Sequence, residues 1–263
     1  MTTHHRTPVP TGPAAVRALL VRGMLAGLIA GVFALAVAYF LGEGPVDAAI
    51  AFEEAGAHGH HDGGEELVSR AVQSTAGLAT GVLVYGVAVG GIAALVLCAA
   101  LGRIGGFGPR ATALLVAGGA LVCGYLVPYL KYPPNPPAVG DPDTIGQRTA
   151  LYFLMVLASV LLTVAAVIVG RRLAVRRGNW NATVAVVAGF VLVTAVGYAF
   201  LPSFDEVPKG FPAAVLWEFR LATLAVQTAL WAVFGLVFGH LAERLLTPGR
   251  TSRPARAEAV PAH

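Results

Sequence analysis

The residues best suited to chemistry lie in one polar segment, residues 42–70, between two long apolar runs. This segment holds seven of the fourteen acidic residues and three of the seven histidines. Imidazole and carboxylate groups are ligands that Co(II), Ni(II) and Zn(II) accept, and interleaved glycines let a short backbone fold around an ion. The sequence therefore predicts a capture site for a divalent cation. Its candidate ligands are His58, His60, His61, Asp62, Glu65 and Glu66.

Three further acids, Asp47, Glu53 and Glu54, lie nearer the start of the segment and are additional candidate ligands. The stretch from Pro45 to Glu54 is typical of an ordered interfacial helix. On such a helix Glu54 lies seven positions after Asp47, so the two carboxylates share roughly one face. The alternative for the whole segment is a solvated, glycine-rich loop, since a histidine-rich tract is only a compositional signal.

Membrane-spanning helices must hold this segment. The chain is 56% hydrophobic and only 12% charged, with a mean hydropathy of +0.72, whereas globular domains carry about 25% charged residues. Since about 20 apolar residues cross a bilayer, we predict an all-α integral membrane protein with six transmembrane helices. The apolar runs are 23–41, 71–101, 111–130, 149–170, 182–201 and 221–241. In the first run, Gly23, Gly27 and Gly31 predict a groove where another helix approaches closely.

The distribution of charge predicts the orientation of these spans. With the N-terminus inside, the inner segments hold 13 of the 18 basic residues and two of the fourteen acids. The inner face is then net +11 and the outer face −7, as the positive-inside rule requires. Both termini are expected in the cytoplasm. We expect a disordered N-terminus over 1–18, a membrane domain over 19–246 with the outer segment 42–70, and a disordered tail over 247–263.

Three outer segments each lead into a span that begins near an arginine and a glutamine. The arginines are Arg70, Arg148 and Arg220, and this pattern suggests three related helical hairpins, although biased composition produces chance repeats. We expect these arginines to lie at the interface beside acids of the outer segments rather than to contact a substrate.

Several function classes are disfavoured by the sequence. It lacks the phosphate loop G-x-x-x-x-G-K-[ST], the zinc-protease motif H-E-x-x-H and the nucleophile elbow G-x-S-x-G, so we expect no enzyme. No charged residue lies near the middle of a predicted span, which disfavours a proton-coupled pump built on carboxylates. The basic pI of 9.3 follows from the inner arginines and does not indicate nucleic-acid binding. Cys98 and Cys123 lie in apolar runs and are expected in helix packing.

Four long segments carry a resemblance to a known family. They are GEGPVDAAIAFEE from Gly42, ELVSRAVQSTAGL from Glu66, PYLKYPPNPPAVGDPDTIGQRTALYF from Pro128, and DEVPKGFPAAVLWEFR from Asp205. Together they resemble the CbtA family of proposed cobalt transporter subunits over residues 16–246. The resemblance implies a bacterial or archaeal inner-membrane protein linked to cobalamin biosynthesis. It also implies a partner, CbtB, a small single-span subunit with its own histidine motif.

We therefore expect a membrane subunit of a cobalt uptake system that captures the ion in the outer segment and passes it between helices. Cobalt, or else nickel or zinc, is the transported ion, and no permanently bound cofactor is expected. The main alternative is a metal-binding sensor or scaffold subunit that transports nothing. A membrane enzyme acting on a lipid or cobalamin precursor is the weaker rival.

Overall fold

The computed structural model describes residues 12–56 and 69–247 of the chain, and the secondary structure there is helical. Six helices are long and apolar enough to cross a membrane, which confirms the all-α fold with six spans. They are α1 (Pro13–Gly56), α2 (Gln73–Ala100), α3 (Pro109–Lys131), α4 (Ile145–Arg177), α5 (Asn179–Phe200) and α6 (Ala213–Leu246).

Helix α1 is longer at both ends than the sequence analysis expected. It begins at Pro13, because proline suits the first position of a helix, so residues 13–18 are helical rather than disordered. It also continues through the polar residues 43–56 of the outer segment, which confirms the helix expected from Pro45 to Glu54 and makes it continuous with the first span. The α-helix Pro13–Val37 is followed by a π-helical turn, Ala38–Gly42, and then by the α-helix Glu43–Gly56, called here the extension.

Proline explains two of the π-helical turns. Proline cannot donate to the carbonyl four residues before it and its ring crowds that carbonyl, so the helix must widen or bend. The turn Ala38–Gly42 contains Leu41, four residues before Pro45, and the turn Val122–Leu126 in α3 contains Gly124, four residues before Pro128. The carbonyl of Gly124, four residues before Pro128, accepts a hydrogen bond from the Tyr152 hydroxyl at 3.2 Å instead. A neighbouring helix thus satisfies the backbone group that proline leaves unpaired.

The remaining elements have similar short irregularities. Helix α2 is preceded by the turn Arg70–Val72 and starts with a π-helical turn, Gln73–Gly77, before the α-helix Leu78–Ala100. Helix α3 consists of Pro109–Leu121, the π-helical turn Val122–Leu126 and Val127–Lys131.

The predicted glycine groove forms the contact between α1 and α2. A Cβ atom at Gly27 would lie 2.1 Å from the Gly86 carbonyl oxygen, and one at Gly90 would lie 2.4 Å from the Gly23 carbonyl oxygen. Only glycine allows the two backbones to come this close. The expectation for Gly23 and Gly27 is therefore confirmed.

The rest of the core follows pairings other than the three hairpins suggested by the sequence. Helix α6 packs against α1 and α3, which are not its neighbours in the chain, and buries Leu230, Phe234 and Phe238 there. Helices α4 and α5 pack along each other at the periphery. In the most apolar 18-residue stretch of each helix, only 11% and 0% of the residues, respectively, are buried. Helix α4 joins the bundle through the Ser159 hydroxyl, which donates to the Cys123 carbonyl at 2.8 Å.

Candidate functional site

The two ends of the bundle differ in charge. One end, called here the acidic end, comprises the extension and the connecting segments 132–144 and 201–212, which carry most of the described carboxylates. The opposite, basic end carries the arginines of α1, α3, α4 and α6. There Arg110 forms an ion pair with Glu243 at 2.6 Å and contacts His240 at 3.4 Å. His240 thus lies exposed at the basic end, beside Arg110.

The acidic end is a packed structure rather than a set of independent loops. Ala49 of the extension is buried against Val139 and Phe211, one from each connecting segment. The rings of Phe52 and Phe211 meet edge to face with centroids 5.0 Å apart, a favourable arrangement for aromatic pairs. These contacts fix the extension against both connecting segments and the start of α6.

An ion pair joins the first turn of α4 to the connecting segment 201–212. Glu206 accepts hydrogen bonds from Arg148 at one carboxylate oxygen and from the Thr144 hydroxyl at the other. The Glu206 side chain is only 6% exposed and that of Arg148 is 26% exposed. Since a charge in such a place needs a partner, this carboxylate has a structural role. The pair agrees with our expectation that Arg148 lies beside an acid of an outer segment.

Arg220, in the first turns of α6, has a different environment. Its guanidinium donates to the Asn135 side-chain oxygen at 3.1 Å and to the Pro134 carbonyl at 3.4 Å. Its own carbonyl accepts from the Tyr129 hydroxyl at 3.1 Å. The arginine therefore connects α6 to the end of α3 and to the connecting segment 132–144, called here the proline-rich segment, through neutral groups. None of the described acids serves as its acceptor.

The structure places three of the nine predicted ligands. Asp47, Glu53 and Glu54 are all exposed on the extension. Asp47 and Glu54 share one face, as expected, but seven residues of helix separate them by about 10 Å, too far for both to bind one ion directly. Within the described ranges, no three His, Cys, Asp or Glu side chains are grouped to hold a metal ion. The other six predicted ligands, His58, His60, His61, Asp62, Glu65 and Glu66, lie outside these ranges.

Glu53 faces a cleft between the extension and the proline-rich segment. The cleft has a volume of about 410 Å³ and is lined by Phe52, Glu53, several prolines and Arg148. It opens beside Gly56, the last residue of the extension, which is also the residue nearest to the histidine-rich stretch along the chain.

A second cavity, of about 270 Å³, was missed by the sequence analysis. It lies between the end of α3, the proline-rich segment and the start of α4, and we call it the tyrosine cavity. Its lining consists of Tyr125, Tyr129, Tyr132, Pro133, Pro134, Asn135, Arg148, Thr149 and Tyr152. The spacing of Tyr125 and Tyr129 on α3, with Tyr132 directly after its last residue, was the available signal, since residues four apart share a helix face.

These features define a multi-pass α-helical membrane protein with a packed acidic end and an arginine-rich basic end. A family model described as "Probable cobalt transporter subunit (CbtA)" matches residues 16–243. The chain therefore belongs to the CbtA family, which confirms the resemblance found in the sequence. Membership implies a role in transport rather than catalysis, with cobalt as the substrate that the family description names. Neither the curated proteins nor the solved structures contain a match to this chain.

Proposed function

We propose that this chain is the membrane subunit of a cobalt uptake system, and that it captures the ion at its acidic end and passes it between its helices. The family match over residues 16–243 carries the proposal. The acidic end faces the cell exterior and both termini lie in the cytoplasm, because the arginines gather at the basic end. The membrane is the inner membrane of a bacterium or archaeon.

The capture ligands are His58, His60 and His61, with Asp62, Glu65 and Glu66 as companions. Chain connectivity supports this assignment. His58 follows Gly56, the last described residue of the extension, by two positions in the sequence. Glu53 and Glu54 are exposed in the last turn there. The carbonyl end of a helix also carries a partial negative charge, which attracts cations.

A partner completes the route in this proposal. The described residues of the chain group no three metal ligands inside the bundle. A small single-span subunit of the CbtB type, with its own histidine motif, would supply ligands beyond the capture segment. The rival function is a sensor or scaffold that binds the ion and leaves transport to other proteins.

Uptake of radioactive cobalt tests the proposal. Cells without their own cobalt importers would receive this chain, the chain with its CbtB-type partner, or a variant with His58, His60 and His61 replaced by alanine. Replacement of His4 and His5 by alanine is the matched control, because these histidines lie at the N-terminus. We expect uptake with the partner, at least tenfold less in the triple variant, and no change in the control.

Other outcomes would separate the alternatives. Uptake that the triple variant retains would show that the capture ligands lie elsewhere. A chain that binds cobalt through these histidines but supports no uptake with any partner would favour the sensor or scaffold function.

A further inference from the structure

We infer that the tyrosine cavity is a binding site for an oxyanion group, such as the phosphate of a lipid headgroup, and is not part of the cation route. The lining residues that the structure describes include one arginine, one asparagine and no carboxylate. A divalent cation prefers carboxylate or imidazole ligands, and none of these faces the cavity. This inference does not depend on the proposed transport of cobalt.

The hydrogen-bonding groups that remain unused in the cavity are mainly donors. The hydroxyl groups of Tyr129, Tyr132 and Tyr152 already donate to the carbonyls of Arg220, Pro202 and Gly124, respectively. These bonds fix the three rings as walls. Burial also raises the pKa of Tyr132, so its hydroxyl stays protonated and neutral.

Asn135 is oriented by Arg220. Its side-chain oxygen accepts from the Arg220 guanidinium at 3.1 Å, so the acceptor of this amide is occupied and its NH₂ group remains available. Arg148 uses one nitrogen, Nη1, for Glu206, and its guanidinium has further N–H groups beside the cavity.

Two arginines contact the cavity: Arg148 lines it, and Arg220 donates to its wall residues Pro134 and Asn135. Glu206 balances the charge of Arg148. Within residues 12–56 and 69–247, the two acceptors of the Arg220 guanidinium are neutral, so no described residue balances its charge in the same way. A half-buried guanidinium behind a wall of neutral side chains attracts an anion and repels a cation, and both effects are stronger where water is scarce.

The Tyr125 hydroxyl gives an independent indication of an unfilled site. It is buried and has no hydrogen-bond partner within the described chain. The nearby Thr223 hydroxyl donates to the Arg220 carbonyl at 2.9 Å and keeps lone pairs that can accept, but no hydrogen bond of normal geometry joins it to the Tyr125 hydroxyl. Since a buried donor without a partner is costly, a ligand oxygen that reached it after a small side-chain shift would be stabilised.

The substitution Asn135→Asp tests this inference without removing a structural contact. The aspartate keeps the oxygen that Arg220 uses and turns the contact into an ion pair, so the empty protein should be as stable as the parent or more stable. It also replaces the NH₂ donor by a negative charge at the cavity wall. We therefore expect oxyanion binding to weaken by about tenfold or more. Asn179→Asp is the control, since it adds the same charge at an exposed position of the basic end.

Thermal unfolding of the purified full chain in an uncharged detergent measures binding, because a ligand of the folded state raises Tm with its concentration. The probes are short-chain phosphatidylglycerol, short-chain phosphatidylcholine and inorganic phosphate, at constant ionic strength. A saturable rise with phosphatidylglycerol, lost in Asn135→Asp and kept in Asn179→Asp, supports a lipid phosphodiester as ligand. The same variant pattern with inorganic phosphate supports a free oxyanion. If no probe distinguishes the two variants, the cavity is not an oxyanion site.

Discussion

Arg148 and Arg220 show how two similar residues take different roles at the acidic end. The sequence analysis treated them alike, since each lies near the start of a span beside acids. In the structure Arg148 donates to Glu206 of the connecting segment 201–212, whereas Arg220 donates to neutral groups of Asn135 and Pro134. The partner of each arginine depends on long-range contacts. Arg148 and its partner are 58 positions apart in the chain, and Arg220 and its partner are 85 positions apart. Local sequence patterns do not contain that information.

Replacement of Glu206 by glutamine should destabilise the acidic end. The amide would leave the partly buried Arg148 without a counter-charge, and because Arg148 remains 26% exposed, we expect a loss of about 1–3 kcal/mol in the free energy of unfolding. Denaturant unfolding in detergent measures this loss. Asp205→Asn removes the same charge from an exposed neighbour and should change stability by less than about 0.5 kcal/mol. Equal losses in both variants would mean that the Glu206 ion pair does not stabilise the fold.

At the scale of elements, hydrophobicity and proline explain what the sequence could and could not predict. The six spans follow from apolar length, which does not depend on how the helices pack. The end of the first span was placed at Leu41 because polar residues follow it. Polar residues, however, end only the part of a helix that crosses the apolar core of the membrane, and the helix itself can continue beyond it. The alanines and glutamates of 43–56 continue it, and the π-helical turn Ala38–Gly42 accommodates Pro45.

Gly27→Ala should weaken the pairing of α1 with α2. The new Cβ atom would lie 2.1 Å from the Gly86 carbonyl oxygen, and backbone on both sides must move to accept it. We expect a loss of about 1–3 kcal/mol, measured by unfolding in detergent. Gly81→Ala, also within the α1–α2 hairpin, meets no atom within 4 Å and should leave stability unchanged or raise it slightly. A Gly27 variant as stable as the Gly81 variant would show that the close contact contributes little.

At the scale of the whole molecule, the sequence predicted which segments are acidic and which are basic, but not how the acidic segments pack together. Sorting of charges by segment gave an acidic and a basic side, and the alternating helices bring those segments to opposite ends. The packing of the extension on Val139 and Phe211 was not predictable, because it joins three segments that are distant in the chain. The tyrosine cavity depends on the same long-range arrangement. The predicted capture histidines lie outside the described residues and stay a prediction.

The proposed orientation can be tested with single cysteines. In a chain whose Cys98 and Cys123 are replaced by alanine, Asp143→Cys places a thiol at the acidic end and Arg176→Cys places one at the basic end, both at exposed positions. Because arginines are retained on the cytoplasmic side, a membrane-impermeant maleimide should label the first thiol in intact cells and the second only after permeabilisation. The reverse pattern would place the acidic end in the cytoplasm. Capture of cobalt from outside by His58, His60 and His61 would then be impossible, even if the family assignment held.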